Sequence, residues 1–223
     1  ETYLKKLEGE KVVGAAVYKD TENVLPLFAM QAALGGVAFC ASQEKTALIL
    51  TGGEISAEWL LEQVSQIQQK AGQFVVFDLK NVIAELPIEN RANCFDATVA
   101  AYLLNPLKSD YMYEDVAREQ LGLMIDEKAD GRTKACYEAY TAFAAKEPLE
   151  NRLKDTKSWE LFENIEMPLV FTLYEMEQNG VKVEVEVLKA YGDQLVGKIT
   201  ELEKDIYELA GEEFNINSPK QLG

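Results

Sequence analysis

The chain has 223 residues, of which 48% are hydrophobic and 27% charged, a balance that suits one large globular domain or a domain with an extension. Its formal net charge is −16 and it contains no histidine. That excludes His-based triads and His-ligated zinc sites, and it argues against a surface that grips phosphate over its whole area. No apolar run of about 18 residues occurs, so no membrane partner is expected.

Cys40, Cys94 and Cys136 are odd in number and lack C-x-x-C spacing, which reads as reduced thiols in a cytoplasmic protein. The opening ETYLKKLEGEK is charged and is not a secretory signal. Glu1 is not an initiator methionine and the chain stops at Gly223 inside the start of a helix, so a piece of a longer protein is expected.

In chain order, Lys11–Tyr18 reads as a buried strand and residues 19–23 as a polar turn. Val24–Met30 and Leu34–Ala41 read as further strands, with Thr46–Leu50 as a hairpin partner. Ser56 is the expected N-cap of a helix whose stripe is Trp59, Leu60, Val64 and Ile67. Gln73–Phe77 is a short buried strand, and Asp78 is placed to cap a helix over Leu79–Leu86. Phe95–Leu104 is predicted helical, ended by Asn105-Pro106. Helices are expected at Tyr113–Leu121 and Thr133–Ala145, with Glu147-Pro148 separating the latter from a long charged helix.

Leu161–Gly180 reads as a helix with Phe162, Ile165, Leu169, Leu173 and Met176 on its packed face, kinked at Pro168 and stopped at Asn179-Gly180. A short link at Val181–Val183 leads to a heptad-like seam of Leu188, Tyr191, Leu195, Ile199, Leu202, Ile206 and Leu209. That seam suits one arm of an intramolecular helix pair, or alternatively a dimerising coiled coil. Gly211 stops it, and Ser218-Pro219 opens a last helix with Ser as N-cap and Pro at the first helical position.

Two stretches carry a family resemblance. FENIEMPLV, then NGVKV, then IYELAGEEFNINSPKQL resembles the large fragment of the family A, polymerase I-type bacterial DNA polymerases, in order and without gaps. FDATVAAYLLNP (Phe95–Pro106) is similar to a helix of their 3′–5′ exonuclease domain. The resemblance implies an α/β fold: a ribonuclease H-like exonuclease domain, a mixed sheet flanked by helices, over 1–150. A truncated helical thumb segment, the start of the polymerase domain, then covers 151–223. The parent would be a DNA-directed DNA polymerase of replication and repair using Mg²⁺, its palm and fingers lying beyond Gly223.

An active proofreading domain of this family needs four carboxylates around two metal ions about 4 Å apart. Ungapped alignment puts Ala16 and Tyr18 at the first pair, Val82 at the third position, and Thr133 and Tyr137 in the Tyr-x-x-x-Asp motif. No catalytic residue, metal ligand or cofactor is therefore expected within this chain. The alternative is a live metal-dependent exonuclease using Asp20 and Glu22 as a displaced D-x-E pair, with Asp78 or Glu138 joining them.

From Glu184 to Gly223 nine acids face four lysines, so DNA contact must be local. The resemblance assigns primer–template DNA binding to the thumb tip, Asn215, Asn217, Ser218 and Lys220, where neutral donors and one cation lead into a helix start. The expected state is a monomer.

Overall fold

The computed structural model describes residues 2–20 and 33–222. The expected strand over Val24–Met30 and the candidate Glu22 lie outside the described residues. Packing divides the chain into two compact units, Glu1–Gln178 and Asn179–Gly223.

In the first unit a short helix that periodicity did not reveal, α1 (Thr2–Leu7), buries Leu4 and Leu7. β1 (Val12–Lys19) follows, then β2 (Leu34–Ser42) and β3 (Lys45–Leu50). α2 (Ala57–Lys70) starts as expected at Ser56, whose Oγ accepts the Trp59 N–H. β4 (Gln73–Val76) leads to α3 (Leu79–Ile83), and β5 (Cys94–Asp96) to α4 (Ala97–Leu104). The expected helix over Phe95–Leu104 is thus corrected at its start, because Phe95 and Asp96 pair with β4. α5 spans Tyr113–Leu121, as predicted.

The sheet runs β3-β2-β1-β4-β5. β2 lies antiparallel to both β1 and β3, whereas β4 lies parallel to both β1 and β5. The sheet is therefore mixed, and β1 and β4 end on the same side, where ligands of such sheets gather.

Across the sheet lies α6 (Gly131–Asp155), started by Asp130, whose Oδ1 accepts from the N–H groups of Arg132 and Thr133. The predicted break at Glu147-Pro148 does not occur. Proline costs one backbone bond, but Ala135, Ala139, Ala142, Ala145, Leu149 and Leu153 form one buried stripe on both sides of it, and that burial carries the helix through. The small side chains let α6 approach β1 closely. A Cβ added at Gly14 would lie 2.3 Å from the Ala139 carbonyl oxygen and 2.6 Å from the Phe143 nitrogen.

After α6 come α7 (Trp159–Leu161), one π-helical turn over Phe162–Glu166, and α8 (Met167–Asn179). The π turn sits directly before Pro168. The Met167 N–H reaches the Phe162 carbonyl, so the extra residue shifts the hydrogen-bond ladder where proline can donate nothing. Of the predicted face Phe162 is buried, but the other four residues are not. Met167, Val170 and Phe171 are buried, while Ile165, Leu169, Leu173 and Met176 are exposed. A stripe with helical period marks a face, but which of two apolar faces meets the sheet depends on the angle of entry, here reset by the π turn.

The second unit contains α9 (Val185–Ala210) and α10 (Pro219–Leu222). α9 buries no residue, and Leu188, Tyr191, Leu195, Ile199, Leu202 and Leu209 are exposed. Gly211 ends it with φ 77°, its N–H on the Tyr207 carbonyl.

Gly14→Ala tests the helix–sheet contact. The added methyl forces α6 off β1, and urea unfolding should show a loss of about 1–3 kcal/mol.

Candidate functional site

At the carboxyl ends of β1 and β4 lies a hollow of two lobes, about 420 and 350 Å³, that share Val17, Lys19 and Glu138. Phe77, Asp78, Val82 and Glu85 complete the first lobe, and Tyr18, Tyr113, Glu114 and Lys134 line the second.

Asp96 holds one rim of this hollow together. It is 2% exposed, and its Oδ1 accepts from the N–H groups of Thr98 and Val99 at 2.8 and 3.2 Å. Its Oδ2 accepts the Leu79 N–H at 2.8 Å, so one carboxylate starts both α3 and α4. Burial pushes Asp96 up to about 6, against the three N–H groups that hold it down. Asp78 was the expected cap of α3, and the structure corrects this. Asp78 is left-handed (φ 51°), makes no side-chain cap, and instead accepts from Asn81 Nδ2 at 2.5 Å. Its own N–H donates to Thr98 Oγ1 at 3.0 Å. The twist that puts its carboxylate on the rim uses a conformation Asp tolerates better than most residues.

Val82 lines the first lobe and Tyr18 the second. Ala16, 1% exposed, packs in one apolar cluster with Tyr18, Ala38, Cys40, Ala135 and Ala139. Thr133 bonds Asp130, and Tyr137 packs against the main core. The β1 residues common to both lobes are Val17 and Lys19, one step from the aligned pair. On α6 the residue common to both lobes is Glu138, a carboxylate that the ungapped motif passed over.

Of the rival set, Asp78 and Glu138 come together here, Asp20 is exposed beyond β1, and Glu22 lies outside the described residues. Burial first, then the charges of Glu114 and Asp78, push Glu138 up to about 7. Lys19 Nζ stands 2.5 Å from Glu85 Oε1, with both side chains partly buried. Among the described residues no three acidic, cysteine or histidine side chains converge to hold a metal ion. Val17 and Val82 offer no oxygen to the hollow, and the Lys19 ammonium is paired with one of its acids.

In the second unit the predicted tip is a folded loop. Asn215 Oδ1 accepts the Asn217 N–H at 3.0 Å, the Ser218 N–H reaches the Asn215 carbonyl at 2.9 Å, and Gln221 Oε1 accepts the Asn215 N–H at 2.8 Å. Tyr207 donates to the Phe214 carbonyl at 3.1 Å and meets the Phe214 ring edge-on. Asn215, Asn217 and Lys220 are exposed and Ser218 is half-buried.

The three cysteines are free, Cys40 and Cys94 buried and Cys136 only partly so. Burial pushes the Cys94 thiol up to about 12. Among the described residues no helix is long and apolar enough to cross a membrane.

A mixed sheet with α6 across it and a hollow at the ends of β1 and β4 is the ribonuclease H-like α/β fold, followed by a helical segment. The NrnC protein of Brucella melitensis bound to pGG superimposes with TM-score 0.57 at 14% identity, over 77% of this chain and 86% of that one. The POL domain of Pol1 from M. smegmatis, in complex with DNA primer-template and dNTP, superimposes with TM-score 0.74 at 20% identity, over 99% of this chain and 38% of that one. No family model matches the sequence. Individual relatives do. DNA polymerase I of Bacillus subtilis is 39% identical over 196 residues, 78% of this chain and 21% of its own length. DNA polymerase I of Caldicellulosiruptor bescii is 35% identical over 184 residues, 81% of this chain and 20% of its own length. By sequence the chain belongs with the bacterial DNA polymerase I proteins, the family A polymerases. It spans about a fifth of the length of these relatives.

Because Glu138 holds its proton more tightly folded than unfolded, its contribution to stability is present at low pH and is lost as pH rises from about 4.5 to about 7. Glu138→Gln keeps the neutral form. Its advantage over the unaltered chain should be about 1–2 kcal/mol above pH 7, trimmed by partial exposure, and should vanish near pH 4.5 in pH-dependent urea unfolding.

Proposed function

We propose that this chain is part of a DNA-directed DNA polymerase that extends primers from deoxynucleotides with Mg²⁺ in replication and repair, as a cytoplasmic monomer. Residues 1–150 serve as a 3′–5′ exonuclease-like domain that has lost its chemistry, and 151–223 begin the polymerase domain with part of the thumb. α6 crosses residue 150 unbroken, and packing divides the chain instead between Gln178 and Asn179. The polymerase reading is supported by 39% identity to a DNA polymerase I along most of the chain.

The loss of nuclease chemistry is supported by one observation above the rest, the Lys19–Glu85 ion pair inside the hollow. Hydrolysis of a phosphodiester by two metals needs an oxygen-lined, strongly negative pocket. A resident ammonium cancels one acid and repels a divalent cation. Valines at 17 and 82 remove two further places for ligands. The second reading, a live exonuclease, draws on Asp78 and Glu138 sharing the hollow. Calorimetric titration with Mn²⁺ and degradation of a single-stranded DNA 3′ end separate the two. The expected outcome is neither stoichiometric binding nor degradation, while degradation abolished by Glu138→Gln would establish the live enzyme.

The thumb tip is proposed to hold the DNA backbone through Asn215, Asn217, Ser218 and Lys220. The acidic α9 behind it leaves Lys220 as the cation of that loop, and the neutral donors fix position rather than charge. In the parent polymerase, Lys220→Gln should weaken primer–template binding alike for all sequences and lower the salt slope by about one, read by fluorescence anisotropy across salt concentrations.

A further inference from the structure

The chain leaves α8 through Asn179-Gly180, and the second compact unit begins at Asn179. An asparagine side-chain amide lies within reach of the next peptide nitrogen, and a following glycine has no Cβ to crowd that approach. Reaction between the two depends on what holds them, and here the surroundings of each candidate differ.

Asn93 is buried, and its Nδ2 donates to the Gln68 and Ala71 carbonyls at 2.5 and 2.9 Å. Asn81 donates from Nδ2 to Asp78 at 2.5 Å. After Asn217 the next N–H, that of Ser218, is taken by the Asn215 carbonyl at 2.9 Å. Asp130 precedes Gly131, but its carboxylate accepts from the N–H groups of Arg132 and Thr133 as the cap of α6.

Asn179 is held by none of these means. Its side chain is exposed and makes no hydrogen bond among the described residues. It is the last residue of α8, where a helix frays and a backbone rotation costs least. Gly180 is left-handed at φ 64°, and no atom lies within 4 Å of where a Cβ would stand. Residues 175–191 are all exposed, so no packing holds the backbone against a change of path.

We propose that Asn179 is a site of spontaneous deamidation through a succinimide formed with Gly180. The Gly180 nitrogen attacks Asn179 Cγ. The N–Cγ bond forms, the Cγ–Nδ2 bond breaks, and Nδ2 leaves as ammonia with the Gly180 proton. Water then opens the ring at one of its two carbonyls and returns a proton to the nitrogen. Opening at Cγ gives aspartate. Opening at the backbone carbon gives isoaspartate, whose main chain runs through the side-chain Cβ. Either product adds a negative charge at the C-terminal end of α8, where the helix dipole is already negative. Isoaspartate also lengthens the chain by one methylene where the second unit starts.

Peptide mapping of the full-length parent protein, aged in warm neutral buffer, tests this with the residues in their natural surroundings. Cleavage after Glu177 and Glu184 releases residues 178–184, in which Gln178 and Asn179 are the amide side chains. The starting peptide should decline as two products of equal mass grow, each with NH exchanged for O, separable by chromatography as aspartyl and isoaspartyl forms. The peptide carrying Asn217 should keep its amide over the same period. Gly180→Ala should slow the loss about tenfold, a barrier raised by about 1.4 kcal/mol. Asn179→Gln should abolish it, and decides the matter even if Gly180→Ala disturbs the helix end. A 178–184 peptide that stays amidated in the parent protein, or that ages no faster than the Asn217 peptide, would overturn the proposal.

Discussion

The close approach of α6 to β1 is the constraint on which most of the first unit depends. Glycine at 14 and alanines at 135, 139, 142 and 145 let helix and strand touch at backbone distance. Burial along that line is continuous enough to carry α6 through Pro148. The same contact settles what the hollow contains. Ala16 and Tyr18 are pressed into the helix–sheet seam with Ala135 and Ala139, while the β1 residues shared by the two lobes are Val17 and Lys19. Glu138 reaches the hollow because it lies just off the buried alanine stripe.

Asp96 does for the parallel half of the sheet what the alanine stripe does for the other half. One buried carboxylate takes three backbone N–H groups from two helices, fixing the turn after β4 to the strand beside it. Asp78 is thereby released from capping and turned outward. Its carboxylate and those of Glu138 and Glu85 then form a negative rim that Lys19 partly neutralises. A buried Gln68 plays a quieter role on the far edge. Its amide bonds the Asn90 carbonyl and Asn93 Oδ1, its Oε1 takes the N–H groups of Glu89 and Asn90, and the loop before β5 is held by a fully paired side chain.

The element list was largely legible in the residues. Alternating apolar runs mark β1 through β4, Ser56 marks the start of α2, and Tyr113–Leu121 matches to the residue. The fold class followed from the resemblance and the strand–helix order together. The misses have definite causes. Pro148 was read as a breaker because local propensity carries no term for the burial on either side of it. Phe95 and Asp96 were read as helix because a short strand beside a partner has no period of its own. The α8 stripe was assigned to the wrong face because the π turn before Pro168 rotates everything after it.

The candidate site was less legible, for a related reason. A one-residue change of register on a strand exchanges its two faces, and nothing in KVVGAAVYKD says which face an unaligned helix will cover. The sequence by itself determined the chemical alphabet: no histidine, a large excess of acid, and an asparagine-rich tip. Only the tertiary structure decided that Lys19 meets Glu85 and that Asp78 and Glu138 share one hollow. Composition and period are properties of neighbouring residues along the chain. These contacts join positions 60 and 66 residues apart, and packing alone brings such positions together.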